Sequence, residues 1–200
     1  MKFYVNGGGK EYSDLFSSLG WEEVDEVLAD VIVFTGGSDV NPQLYGQTTH
    51  PYTHFSSVRD QQDIQCYLRN LRKMKIGICR GAQFLHVMNG GTLFQDVNNH
   101  ALRKHHLLEC KATGESWAVT STHHQMMAPD AGVVVGIAKE TTYVDKHERY
   151  EVVRDTIPYD VEVVFHPKAF CFQPHPEFYG EVSTKKCFTH FLNMFMEDFD

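Results

Sequence analysis

A strand that stops on a cysteine and resumes at once as a helix leaves the rest of a chain few arrangements. Lys73-Met-Lys-Ile-Gly-Ile-Cys-Arg-Gly-Ala-Gln83 reads that way. Ile76 and Ile78 give a short apolar strand, Cys79 stands at the apex of the turn, and a helix is expected from Arg80. Glycines at 77 and 81 lie two residues to either side of the cysteine. A side chain held on so sharp a turn leaves no room for a Cβ on residues packed beside it, so glycine is needed there. This is the spacing of a strand–turn–helix elbow that presents a nucleophile, with sulfur in place of oxygen. The helix offers unpaired N–H groups and a partial positive charge, both of which favour a thiolate. Alone, the pattern also fits a structural cysteine buried at a strand end.

Short apolar runs alternate with helical stripes upstream. Lys2-Phe-Tyr-Val-Asn6 is an expected strand closed by three glycines, and Tyr12, Leu15, Phe16 and Leu19 recur at helical spacing. A short strand is expected over Trp21 to Val24. Val31-Ile-Val-Phe34 is a continuous apolar run, as in a parallel strand buried on both faces. Residues 36–57 form a long loop, a length that in compact domains usually carries function. A helix is expected over Val58 to Leu71, and the elbow helix ends at an Asn89-Gly90-Gly91 cap. Downstream the pattern turns to strands over 106–112, 117–121, 132–138, 149–153, 161–165 and 169–173. Phe188, Phe191, Leu192 and Phe195 mark a last helix. Such a series implies an α/β fold, a parallel sheet with helices on both faces and ligands at the carboxyl ends of its strands. Gly36-Gly37, Cys79 and His175 all stand just past expected strand ends.

Composition narrows the function classes. A formal charge of −8 argues against a nucleic-acid or anionic-membrane surface, which needs clustered Lys and Arg. No apolar run reaches the length of a membrane span, and the first residues enter a strand pattern without a secretory segment. Five cysteines, none in a CxxC pair, suit a reducing cytoplasm. Twelve histidines call for a metal test. His105-His106 and His123-His124 are adjacent pairs that cannot both face one ion from a regular element, and His50 and His54 lie in a loop. No recognisable ligand spacing emerges, so neither metal nor cofactor is expected.

A cysteine nucleophile needs a base, and the base needs an orienter. His175 and Glu177 supply both from one extended segment, where side chains two apart point the same way. Pro176 between them restricts His175 to extended conformations.

With the elbow, His175-Pro-Glu177 resembles the class I glutamine amidotransferase superfamily. Gly36-Gly-Ser-Asp-Val-Asn-Pro-Gln-Leu-Tyr-Gly46, Arg59-Asp60, Gly90-Gly-Thr-Leu-Phe-Gln-Asp96 and Ser121-Thr-His-His-Gln125 resemble its γ-glutamyl-γ-aminobutyrate hydrolase branch. The motifs keep their order over residues 36–177. The resemblance implies a flavodoxin-like, mostly parallel sheet with extra β-hairpins in the C-terminal half, and one domain over 1–200. It implies attack by Cys79 on a γ-glutamyl amide and hydrolysis of the resulting thioester. Backbone N–H groups of Gly37 and Arg80 would hold the oxyanion, where glycine permits close approach. Gly36, Gln83, Ser121 and His123 would contact substrate, with His123 at the pocket rim. Arg59 and Asp60 read as a helix N-terminus with surface charge. The chain departs from the branch at Asp63, Pro174 and His86, where Glu, an aromatic residue and Asn are common.

Two readings share this site. A self-sufficient hydrolase would act on an extended γ-glutamyl amine; a glutaminase subunit would pass ammonia to a partner synthase or ligase. The motifs speak for the first, and the length of the chain for the second. A reactive-cysteine stress or redox protein would carry His directly after the elbow cysteine, where Arg80 stands. An inactive regulatory subunit would have lost Cys79 or His175.

Overall fold

A computed structural model describes residues 1–101, 104–139, 142–148, 151–157 and 159–197. The first half alternates strand and helix: β1 (Lys2–Asn6), α1 (Lys10–Ser18), β2 (Glu22–Glu23), β3 (Val31–Phe34), α2 (Ser57–Arg69), β4 (Met74–Ile78) and α3 (Arg80–Met88). The second half is strands: β5 (Leu93–Phe94), β6 (Lys104–Cys110), β7 (Ser116–Ser121), β8 (Met126–Met127), β9 (Val133–Ala138), β10 (Tyr143–Glu148), β11 (Glu151–Thr156), β12 (Asp160–His166) and β13 (Ala169–Phe172). Helix α4 (Val182–Glu197) follows.

Among the described residues, nine strands form one sheet in the order β2-β1-β3-β4-β13-β12-β9-β6-β7. Pairings from β2 to β13 are parallel: α1 and α2 return the chain to the same edge among the first strands, and β13 joins β4 from the hairpin with β12. From β13 onward every pairing is antiparallel. The strands expected in the C-terminal half therefore mostly extend the central sheet. The hairpin β10–β11 stands apart as its own two-stranded sheet. The expected strand over 149–153 begins at two residues outside the described ones; its described part lies in β11.

Helices cover both faces. On one, Phe16 of α1 and Phe188, Phe191 and Phe195 of α4 pack on Phe3, Phe170 and Phe172. Phe170 stacks between Phe188 and Phe195, with ring centroids at 5.4 and 5.7 Å. On the other, Phe84 and Leu85 of α3 and Cys66 of α2 pack on Ile32, Phe34 and Cys171. Burying each such side chain contributes about 1.5–3 kcal/mol. The alternation of Ile32 and Phe34 toward one face with Val31 and Val33 toward the other explains why β3 is apolar throughout. Among the described residues, no helix is long and apolar enough to cross a membrane.

Register decides what meets at the carboxyl edge. Phe34 pairs with Gly77, and Phe172 with Ile78, so β3, β4 and β13 end at one level. The residues that follow them are Gly36, Cys79 and His175.

Candidate active site

The elbow forms as its glycines require. Cys79 has φ 54° and ψ −113°, a backbone state that L-residues rarely adopt and that costs about 1–3 kcal/mol. It is pinned on both sides. The Cys79 N–H donates to the Phe172 carbonyl at 2.9 Å, and its own carbonyl accepts from the Gln83 N–H at 3.1 Å. A Cβ on Gly77 would run into the Gly81 backbone, and one on Gly81 into the Phe34 carbonyl. Both glycines thus let α3 press against β3 and β4.

His175 arrives from the neighbouring strand. Its backbone N–H donates to Thr120 Oγ1 at 2.7 Å, its Nδ1 lies 2.6 Å from Glu177 Oε1, and Phe178 stacks on the ring at 4.4 Å. A Cβ at Gly36 would sit 3.0 Å from His175 Cε1, 3.0 Å from Tyr12 Oη and 3.7 Å from Cys79 Cβ. Loop, elbow, histidine and tyrosine therefore surround one point, and a side chain at position 36 would crowd them. Burial alone would lower the His175 pKa. The charge and hydrogen bond of Cys79, then those of Glu177, outweigh burial and push it up to about 10. The Gly36 N–H donates to Tyr12 Oη at 3.0 Å. Burial, followed by the charge of Glu177, holds the Tyr12 phenol far above its ordinary range.

Gly37 has φ 150°, a conformation suited to glycine, and faces Arg80. The Arg80 side chain points away from the elbow and is 1% exposed, pairing with Asp60 at 2.5 Å and with Asp63. Arg59 reaches Asp63 at 3.1 Å and Thr35 Oγ1 at 2.8 Å. The surface-charge reading of Arg59-Asp60 is thus corrected: Asp60 is buried under Arg80, and Ser56 caps the helix instead. A guanidinium turned inward by the elbow needs buried carboxylates to balance it.

Gln83 is buried, and its amide donates to the Gln125 carbonyl at 2.9 Å and to Gln173 Oε1 at 3.1 Å. Ser121 Oγ donates to the His100 carbonyl at 2.8 Å. His123 does not stand at a rim. It is 4% exposed and directs Nδ1 to the Gln125 carbonyl at 2.9 Å, while His124 takes the opposite side toward Asp39 and Asp96. Beside Thr120 and Phe178 opens a cleft of about 540 Å³ that also exposes Lys104 and His105. Tyr12 and Thr120 were not singled out by sequence. One is hidden in a helical stripe, the other is one of six residues in an ordinary strand.

A family model described as peptidase C26 matches residues 21–152, a stretch that holds Cys79 and ends before His175. The glutamine amidotransferase-like protein YvdE homolog of Lactococcus lactis subsp. cremoris is 33% identical over 121 residues, 50% of this chain and 64% of that protein. The chain thus spans less than two thirds of this relative. Two solved structures share the fold. A protein assigned as a GMP synthase component from Thermoplasma acidophilum superposes with a TM-score of 0.62 at 16% identity, covering 98% of this chain and 94% of that one. A glutamine amidotransferase from Thermotoga maritima gives 0.59 at 13% identity, covering 100% and 85%.

Proposed function

The chain belongs to the peptidase C26 family, within the class I glutamine amidotransferase-like superfamily, and from that premise we propose that it hydrolyses a γ-glutamyl amide through a thioester on Cys79. The carrying observation is the meeting of Cys79, at φ 54°, with a His175–Glu177 pair closed at 2.6 Å. In this reading residues 1–200 act as one cytoplasmic domain without cofactor or metal at the catalytic centre.

The Cys79 thiolate, facing the His175 imidazolium, attacks the δ-carbonyl. Negative charge moves to the carbonyl oxygen, where the backbone N–H groups of Gly37 and Arg80 receive it. As the tetrahedral species collapses, His175 passes its proton to the leaving amine. The neutral ring then takes a proton from water, which attacks the thioester and frees glutamate and the sulfur. Glu177 orients the ring throughout and stabilises its charged form. Gly36 lies against the reacting groups. Gln83 and Ser121 act by bracing the segments beside the pocket, and His123 by position behind it.

A second reading keeps the chemistry and sends the ammonia to a docked synthase or ligase. Its support is apolar surface beside the site: Phe178, Tyr179 and Val182 are exposed directly after His175-Pro176-Glu177. Amine and ammonia release by the isolated chain from glutamine and a panel of γ-glutamyl amines tests both. Turnover of an extended amine supports the hydrolase, and release from glutamine alone supports the ammonia-donating role. Release that persists in Cys79→Ala overturns the mechanism.

A further inference from the structure

Away from Cys79, four segments of the antiparallel half bury three imidazoles around one carboxylate. His106 Nε2 lies 3.0 Å from Glu162 Oε1; His100 Nδ1 and His123 Nε2 each lie 3.6 Å from the same oxygen. Glu162 and His100 are fully buried. His100 comes from the segment after β5, His106 from β6, His123 from the turn after β7, and Glu162 from β12.

Outer contacts fix two of the tautomers. His100 Nε2 lies 2.7 Å from Asp160 Oδ2, so that nitrogen carries the proton. His100 Nδ1 then faces Glu162 at 3.6 Å, with Ser121 Oγ 3.4 Å to its side. His123 Nδ1 must donate to the Gln125 carbonyl, which leaves a lone pair on Nε2, again toward Glu162. Among the described residues, neither His123 Nε2 nor Glu162 Oε2 has a hydrogen-bond partner. Two imidazole nitrogens whose opposite ring nitrogens already have partners thus point at a buried carboxylate. That buried charge calls for a cation among them.

The geometry points to a closed site for one divalent transition-metal ion of the zinc type, bound by His100, His106 and Glu162, with His123 Nε2, 3.6 Å from Glu162 Oε1, as the fourth donor. Donor atoms of His100, His106 and Glu162 lie within 4.8 Å of one another. The separations of 3.0 and 3.6 Å bracket the edge of about 3.3 Å set by tetrahedral bonds of ~2.0–2.1 Å. Asp160 behind His100 is the outer carboxylate that orients a metal-bound imidazole. Charge also balances: two buried carboxylates, three neutral imidazoles and a 2+ ion sum to zero. Nitrogen and oxygen donors in a four-coordinate, enclosed site suit zinc, and closure implies a structural role. The ion ties β6, β7 and β12 together behind Thr120, which holds the His175 backbone.

Metal content of the untagged full chain tests this independently of any activity. After dialysis, or after reconstitution with zinc, about one zinc per chain is expected, with a higher Tm than the chelator-treated form. Cobalt substitution should give the visible bands of a tetrahedral nitrogen–oxygen site. Cys79→Ala should retain the metal, whereas Glu162→Gln and His100→Ala should lose it. The proposal is overturned by no retained metal after reconstitution, by unchanged content in Glu162→Gln, or by a sulfur-to-cobalt charge-transfer band in the unmutated chain. That last readout decides the matter even where the variants do not fold.

Discussion

The carboxyl edge of the parallel strands and the histidine cluster of the antiparallel strands are both built from titratable side chains, yet they assemble differently. At the edge, most of the geometry is local. Gly77, Cys79 and Gly81 shape one turn, and His175, Pro176 and Glu177 shape one extended segment. In the cluster each of the four donors comes from a different segment, and no two share a motif. The edge keeps a strained cysteine beside an imidazole that holds its proton to about pH 10. The cluster turns ring nitrogens toward a fully buried carboxylate. Strain and charge are thus placed where chemistry is proposed, and ring nitrogens where a cation is proposed.

Breaking one region should leave the other intact. The largest effect is expected from Cys79→Ala, which should reduce γ-glutamyl amide hydrolysis on the order of 10³-fold or more while the fold and metal content persist. Steady-state product release and circular dichroism check it. Next, Glu162→Gln removes the anionic donor of the proposed ion and should lower the stability of the metal-loaded chain by about 3–5 kcal/mol in urea unfolding.

A pH experiment sharpens the comparison. The folded pKa of His175 is raised from 6.5 to about 10, so the stability it contributes is fully present below pH 6.5 and is lost as pH rises through about 10. The basic limb of kcat/KM is accordingly expected near pH 10 and not near 6.5. In Cys79→Ala the ring should titrate at lower pH, as read by NMR, because its strongest charge partner is gone. The smallest effect is expected from Tyr12→Phe. It removes the acceptor of the Gly36 N–H and should cost about 1 kcal/mol in stability. Thermal unfolding measures it, and no change would mean that the loop is held by other contacts.

Much of the edge was legible because short-range sterics wrote it. An apolar Val31–Phe34 announced a strand buried on both faces, and the glycine spacing announced a helix pressed onto the sheet. The expected convergence of Gly36, Cys79 and His175 follows from three parallel strands ending level. Other expectations failed where a long-range partner decided the outcome. Asp60 looked like surface charge until Arg80 was turned onto it. His123 looked like a rim residue until β7 delivered it inward. Neither adjacent histidine pair can turn both rings to one ion, and the cluster takes one member from each. His105 and His106 alternate across β6, so one reaches solvent and the other Glu162.

The sequence by itself determined the strand–turn–helix elbow, the paired histidine and glutamate, and the division into a βα half and a β half, because each depends on contacts within a few residues. The tertiary structure alone decided that the β half would continue the same sheet, that Tyr12 and Thr120 would serve the Cys79 site, and that four separate residues would enclose a polar centre. Those outcomes depend on strand order and register, and such pairings bring together positions as distant in the chain as Tyr12 and His175, whose own neighbours carry no trace of the meeting.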